Sequence, residues 1–106
     1  MKRTEPHEEC ILLIDDEPDD AELTSGALQT KHAQGSITIA RTAEEGISLV
    51  VQQNWTMIFL DYQMPGKTGL EILPEIRLRA PDADIIMLTG HEDTEVAIAA
   101  LRAGAD

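Results

Sequence analysis

Four short apolar or alternating stretches punctuate the chain, and each is followed by a segment of helical period. Cys10 to Ile14 is apolar without interruption and stops at Asp15-Asp16, while Met57 to Leu60 is likewise continuous and stops at Asp61. Asp84-Ile85-Ile86-Met87-Leu88 runs into Thr89-Gly90. Runs this short, unbroken by polar residues, suit strands covered on both faces, as a parallel sheet requires. Ile37 and Ile39 alternate with Thr38 and Ala40, which predicts a fourth strand with one less buried face.

Helical spacing fills the intervals. Pro18 suits a first turn, and Asp19, Asp20 and Glu22 favour the positive end of a helix dipole. Ala21, Thr24 and Leu28, with Leu23 and Ala27, offer that helix an inner face, and Gly35-Ser36 breaks it. Thr42-Ala43-Glu44-Glu45 is a capping box for a second helix, with Ile47, Val50 and Val51 behind Ala43 and Asn54 as a stop. Met64-Pro65-Gly66 reads as a turn, and Gly69 opens a third pattern of Leu70, Leu73 and Ile76, supported by Ile72. Pro74 removes one backbone donor there and is expected to confine or bend the first turns. Arg77 and Arg79 suit the end of that helix. A last helix is predicted over 94–103, with Gly104 as its stop. The order β-α-β-α-β-α-β-α predicts an α/β fold, a parallel sheet with right-handed crossovers and helices on both faces.

Composition narrows the function. At 106 residues there is room for one domain and one core. Residues 1–9 carry no apolar period and read as a frayed leader, which leaves 10–106 for the domain. With a net charge of −12 and only eight Lys or Arg, nucleic-acid binding by this segment is not expected, since it needs a basic surface. Trp55 and Tyr62 are isolated and form no stacking platform. Cys10 is the only cysteine, so no internal disulfide can form and a reducing, cytoplasmic setting is expected, with Cys10 as a small core residue. No apolar run is long enough for a membrane span. His7, His32 and His91 lack metal-spaced partners and read as surface residues, and Lys67 as a solvated one.

The chemistry lies at the strand tips. If 11–14 and 57–60 are neighbouring parallel strands, Asp15, Asp16 and Asp61 converge at one edge, where open α/β sheets place their ligands. Such carboxylates repel one another, which invites either a raised pKa or a cation. A hard divalent ion such as Mg2+ fits oxygen ligands, with waters and phosphate oxygens completing its shell. Thr89 adds a hydroxyl at a third strand tip and Gly90 lets a backbone N–H approach closely. An exposed aspartate in that setting is a competent nucleophile for a phosphoryl group. Against this, Asp15, Asp16, Asp19 and Asp20 also read as a solvated acidic helix start, and Thr89 as a strand-end residue bonded to backbone.

LLIDDEPDD (12–20), FLDYQMPGKTG (59–69), IIMLTG (85–90) and ALRAGAD (100–106) together resemble the receiver domain of two-component response regulators. That flavodoxin-like family includes the chemotaxis response regulator. The resemblance covers about Cys10 to Asp106 and implies the strand order 2-1-3-4. It also implies Asp61 as phosphoacceptor and Thr89 as the switch hydroxyl. Mg2+ would be ligated by Asp16, Asp61 and the backbone carbonyl of Gln63, with Asp15 acting through water. Rate-tuning side chains would fall at Gln63 and at Gly90–His91. The phosphoryl donor would be a sensor histidine kinase or histidine phosphotransfer protein.

The family pattern continues past Gly-Ala-Asp into a fifth strand, a Lys-Pro pair and a fifth helix, none of which is in this sequence. Either the chain is part of a longer protein, which is the favoured expectation, or the missing unit is disordered or supplied by a partner; any effector would follow Asp106. Without that lysine the phosphorylated site keeps roughly one more uncompensated negative charge. Strand 84–88 is expected to present an open edge suited to self-association. Two other classes compete with the phosphorylation switch. One is a pseudo-receiver that docks partners without phosphorylation, which the absent lysine favours. The other is a Mg2+-dependent phosphohydrolase, which lacks an Asp two residues after Asp61, where Gln63 stands. A turnover enzyme is not expected.

Overall fold

The computed structural model describes residues 9–31, 35–62, 64, 66–88 and 104–106. Its elements, in chain order, are β1 (Cys10–Ile14), α1 (Pro18–Lys31), β2 (Ser36–Ala40), α2 (Ala43–Val50), β3 (Met57–Asp61), α3 (Gly69–Arg79) and β4 (Asp84–Leu88). All strands pair in parallel in the order β2-β1-β3-β4, as the resemblance implied. The helix predicted over 94–103 lies outside the described residues.

The continuous apolar runs explain how the sheet is covered. Successive side chains of a strand point to opposite faces, so each run feeds two cores. Leu12, Ile14, Ile58, Leu60 and Ile85 face α2 and α3, where they meet Val50, Ile72, Leu73 and Ile76. Ile11, Leu13 and Phe59 face α1 and meet Ala21 and Leu28, with Ile37 and Ile39 packed against them. Burial of one such side chain is worth ~1.5–3 kcal/mol, and both faces must be filled for the order β2-β1-β3-β4 to hold.

Several helix faces differ from the sequence expectation. Ala21 and Leu28 of α1 are buried, but Leu23 is 74% exposed and Ala27 faces solvent. At about 100° per residue, positions 23 and 27 fall away from the stripe that 21, 24 and 28 define. In α2 the buried residues are Ala43, Gly46 and Val50, whereas Val51 is the exposed C-cap and Asn54 lies beyond the helix. Pro74 neither ends nor confines α3, which runs unbroken from Gly69 to Arg79 with Pro74 on its exposed side. Cys10 is half-buried at the start of β1, packed against the core and not within it. Trp55 is buried at the opposite end of β3 from Asp61, its Nε1 donating to Leu49 O at 3.0 Å.

The outer edge of β4 is occupied at its amino-terminal end. Asp106 N donates to Ile85 O at 2.8 Å, and Ile85 N donates to Asp106 Oδ2 at 2.9 Å. The expectation of an open edge is corrected there. The Asp106 carboxylate takes the acceptor position that a neighbouring strand's carbonyl would take.

Candidate functional site: an acidic cluster at the sheet's switch point

β1 connects to β2 on one side of the sheet, and its other neighbour is β3, so the winding direction reverses between β1 and β3. Open α/β sheets leave a crevice at such a point, outside the carboxyl ends of the strands. The register places Ile14 opposite Ala40 on one side and Leu60 on the other. Asp15 therefore leaves β1 at the level where Asp61 ends β3. One carboxylate oxygen from each of Asp15, Asp16 and Asp61 lies within 4.8 Å of the other two. The sequence-predicted trio is thus brought together.

Each acid is held differently. Asp15 is 3% exposed, and its N–H donates to Ala40 O at 2.9 Å. Its Oδ1 accepts the N–H of Glu17 at 3.1 Å, a side-chain turn that bends the chain from β1 into α1. Asp16 and Asp61 are half-buried. Asp61 pairs with Leu88, and Tyr62 N extends that ladder to Leu88 O at 2.9 Å.

The loop after Asp61 is fastened at three points. Met64 is buried in the core cluster under α2 and α3. Gly66 turns the chain at φ 84°, in the left-handed region that glycine favours. Gly69 N then donates to Tyr62 O at 2.8 Å, closing the loop on itself. Gly69 also lies directly on the phosphoacceptor candidate's backbone: a Cβ there would collide with Asp61 O and sit 3.1 Å from Asp61 C. Thr68 caps α3 reciprocally with Glu71, Thr68 Oγ1 accepting from Glu71 N and Glu71 Oε1 from Thr68 N. This second T-x-x-E box carries the same signature as Thr42–Glu45 but was missed in the sequence.

Gln63, Thr89, Gly90 and His91 lie outside the described residues, as do His7 and His32. Lys67 is exposed in the loop, as expected.

A doubly wound parallel sheet with an acidic trio at its switch point defines a class of α/β signalling and phosphoryl-handling domains. The chain belongs to the response regulator receiver domain family, whose match covers residues 11–106. Members of that family are phosphorylation-based switches of two-component systems. The chain is 32% identical over 106 residues to the probable transcriptional regulatory protein TcrX of Mycobacterium tuberculosis, covering 100% of this chain and 44% of TcrX. It superposes with TM-score 0.83 on a Burkholderia pseudomallei response regulator solved with a phosphorylated aspartic acid, at 26% identity, covering 92% of this chain and 56% of that one. With TrrA from Thermotoga maritima, solved in complex with Mg(2+)-BeF, the TM-score is 0.78 at 34% identity, covering 92% and 83% of the two chains. The chain spans less than half the length of the curated relatives it matches. No helix among the described residues is long and apolar enough to cross a membrane.

Proposed function

We propose that this domain receives a phosphoryl group on Asp61 from a phosphohistidine of a sensor kinase or phosphotransfer protein, in a Mg2+-dependent reaction. The observation that carries the proposal is the convergence of Asp15, Asp16 and Asp61 to within 4.8 Å at the switch point. The cluster is all carboxylate oxygen, the donor chemistry a hard divalent ion takes, and two of its members are half-buried, leaving room for waters and phosphate oxygens. Asp15, Asp16, Asp61 and the backbone carbonyl of Gln63 would hold Mg2+. Bound there, the ion offsets charge between the carboxylates and the phosphoryl oxygens.

The chain's own part is to present one carboxylate and keep it still. An oxygen of Asp61 attacks phosphorus, a P–O bond forms as the donor's P–N bond breaks, and the electron pair leaves with the imidazole. Gly69 against the Asp61 backbone and the Tyr62–Leu88 bond hold the stretch of backbone that carries that carboxylate. Thr89 follows Leu88 directly and is the switch hydroxyl on this reading. The domain is taken as 10–106 behind a leader of residues 1–9, acting in the cytoplasm and controlling an effector in the longer protein. TrrA with Mg(2+)-BeF and the Burkholderia regulator with its phosphorylated aspartate support the assignment by similarity.

Full-length protein incubated with acetyl phosphate and Mg2+ tests it. An acid-stable, base-labile adduct is expected that is lost on chelation and in Asp61→Asn. An adduct that persists in Asp61→Asn would overturn the assignment.

A further inference from the structure

Arg77 lies in the last turn of α3, where a basic residue ordinarily serves the helix dipole. Its guanidinium does far more. Nε donates to Gly104 O at 2.9 Å, and Nη1 donates to Ala80 O at 3.2 Å, Pro81 O at 3.1 Å and Ala83 O at 2.8 Å. Nη2 donates to Asp106 Oδ2 at 2.6 Å, and the same oxygen accepts the Ile85 N–H of β4. Arg79, two residues on, is exposed and pairs only with Glu75, one turn back, among the described bonds.

We propose that Arg77 and Asp106 form a clasp that fastens residues 104–106 to the α3–β4 turn and to the amino-terminal end of β4. Every nitrogen of the guanidinium is used, and its acceptors come from two segments that have no covalent reason to meet. The planar fork is needed: a lysine ammonium carries three donors on a single nitrogen and cannot span five acceptors set around the guanidinium plane. Gly104 fits the same design. Its φ is 122°, and a Cβ there would sit 3.0 Å from Arg77 Cγ, so the stem of the arginine lies where a side chain would be. The Asp106 carboxyl is held below its ordinary value, first by the Ile85 N–H and also by Arg77, which keeps it charged for the clasp. Ile85 is three residues along β4 from Leu88, the partner of Asp61, or roughly 10 Å. The clasp is therefore a separate device from the acidic site, and its role does not depend on the function proposed above.

Amide hydrogen exchange on the full-length protein tests it. Arg77→Ala and Asp106→Asn are each expected to speed exchange of the Ile85 N–H at least tenfold. The double variant should be no faster than the faster single one, because both break one unit. The β1 amides of Leu12 and Leu13, Mg2+ affinity, and all amides in Arg79→Ala should stay as in wild type. Arg77→Lys keeps the charge without the fork and should fold; it is expected to show at least threefold faster Ile85 exchange. Wild-type Ile85 exchange in Arg77→Lys or Arg77→Ala, or single effects that multiply in the double variant, would overturn the clasp.

Discussion

Gly69→Ala separates close packing at Asp61, the proposed phosphoacceptor, from helix propensity, because the two push stability in opposite directions. A Cβ at residue 69 would collide with the carbonyl oxygen of Asp61 and sit 3.1 Å from its carbonyl carbon and 3.2 Å from Leu60 Cγ. Neither neighbour can swing away. The carbonyl is backbone at the end of a paired strand, and Leu60 is fully buried. Relief therefore needs a shift of β3 or α3, and overpacking of that kind costs about 1–3 kcal/mol. Alanine's helix preference over glycine returns at most about 1 kcal/mol, and less at the first helical position. The net is a destabilisation of ~1–2 kcal/mol, set against a total of about 5–15 kcal/mol for a folded domain. For a domain of this size that lowers the melting temperature by roughly 5–15 °C. Gly26→Ala in α1 is the control: nothing lies within 4 Å of its added methyl, so propensity alone should raise stability by about 0.5–1 kcal/mol. Thermal and urea unfolding of both variants in the full-length protein measures the contrast. A Gly69→Ala variant melting at or above wild type would refute the packing explanation. Mg2+ affinity should fall with it, since the displaced atom belongs to Asp61 itself.

Asp16→Ala should weaken Mg2+ binding at least tenfold by calorimetric titration, while Gly26→Ala leaves it unchanged; equal affinities would remove Asp16 from the site. Trp55 emission should barely respond to Mg2+, because the ring sits six residues from Asp61 at the other end of β3, roughly 20 Å away. The Asp106 carboxyl titrates below its ordinary 3.8 when folded, so its contribution is complete above that value and is lost as pH falls through the folded one. The gap in urea midpoint between wild type and Asp106→Asn should hold from pH 7 to about 5 and begin to narrow only below about pH 4, closing as pH falls through the lower folded value. A gap that widens on acidification would reverse the sign.

The strands were legible because burial on both faces leaves no polar position to interrupt them. Cys10–Ile14, Met57–Leu60 and Ile85–Leu88 are apolar runs in the sequence and lie in strands in the structure, with Asp61 added to the second by its pairing with Leu88. The acidic trio followed from them, since parallel neighbours release their chains at one edge. Helix faces were less legible. Leu23 and Val51 are apolar yet exposed, and one apolar residue on a short helix does not state which way it turns. Pro74, sixth of the eleven residues of α3, does not end the helix, and its ring lies on the exposed side. The Arg77–Asp106 contact could not be read at all. It joins residues 29 apart through an arginine whose position fits an ordinary helix end equally well. Thr68–Glu71 carries the same T-x-x-E signature as Thr42–Glu45 and went unread, because the Gly-rich turn before it drew the reading toward a loop.

The position of the phosphoryl group on the chain decides whether Asp61 is its acceptor. After phosphorylation of the full-length protein, borohydride reduction converts an aspartyl phosphate to homoserine, which peptide mass spectrometry places by residue. Conversion at Asp61 alone, with Asp15 and Asp16 intact, is the expected result. Conversion at Asp15 or Asp16, or a phosphoryl group retained on another residue type, would contradict it.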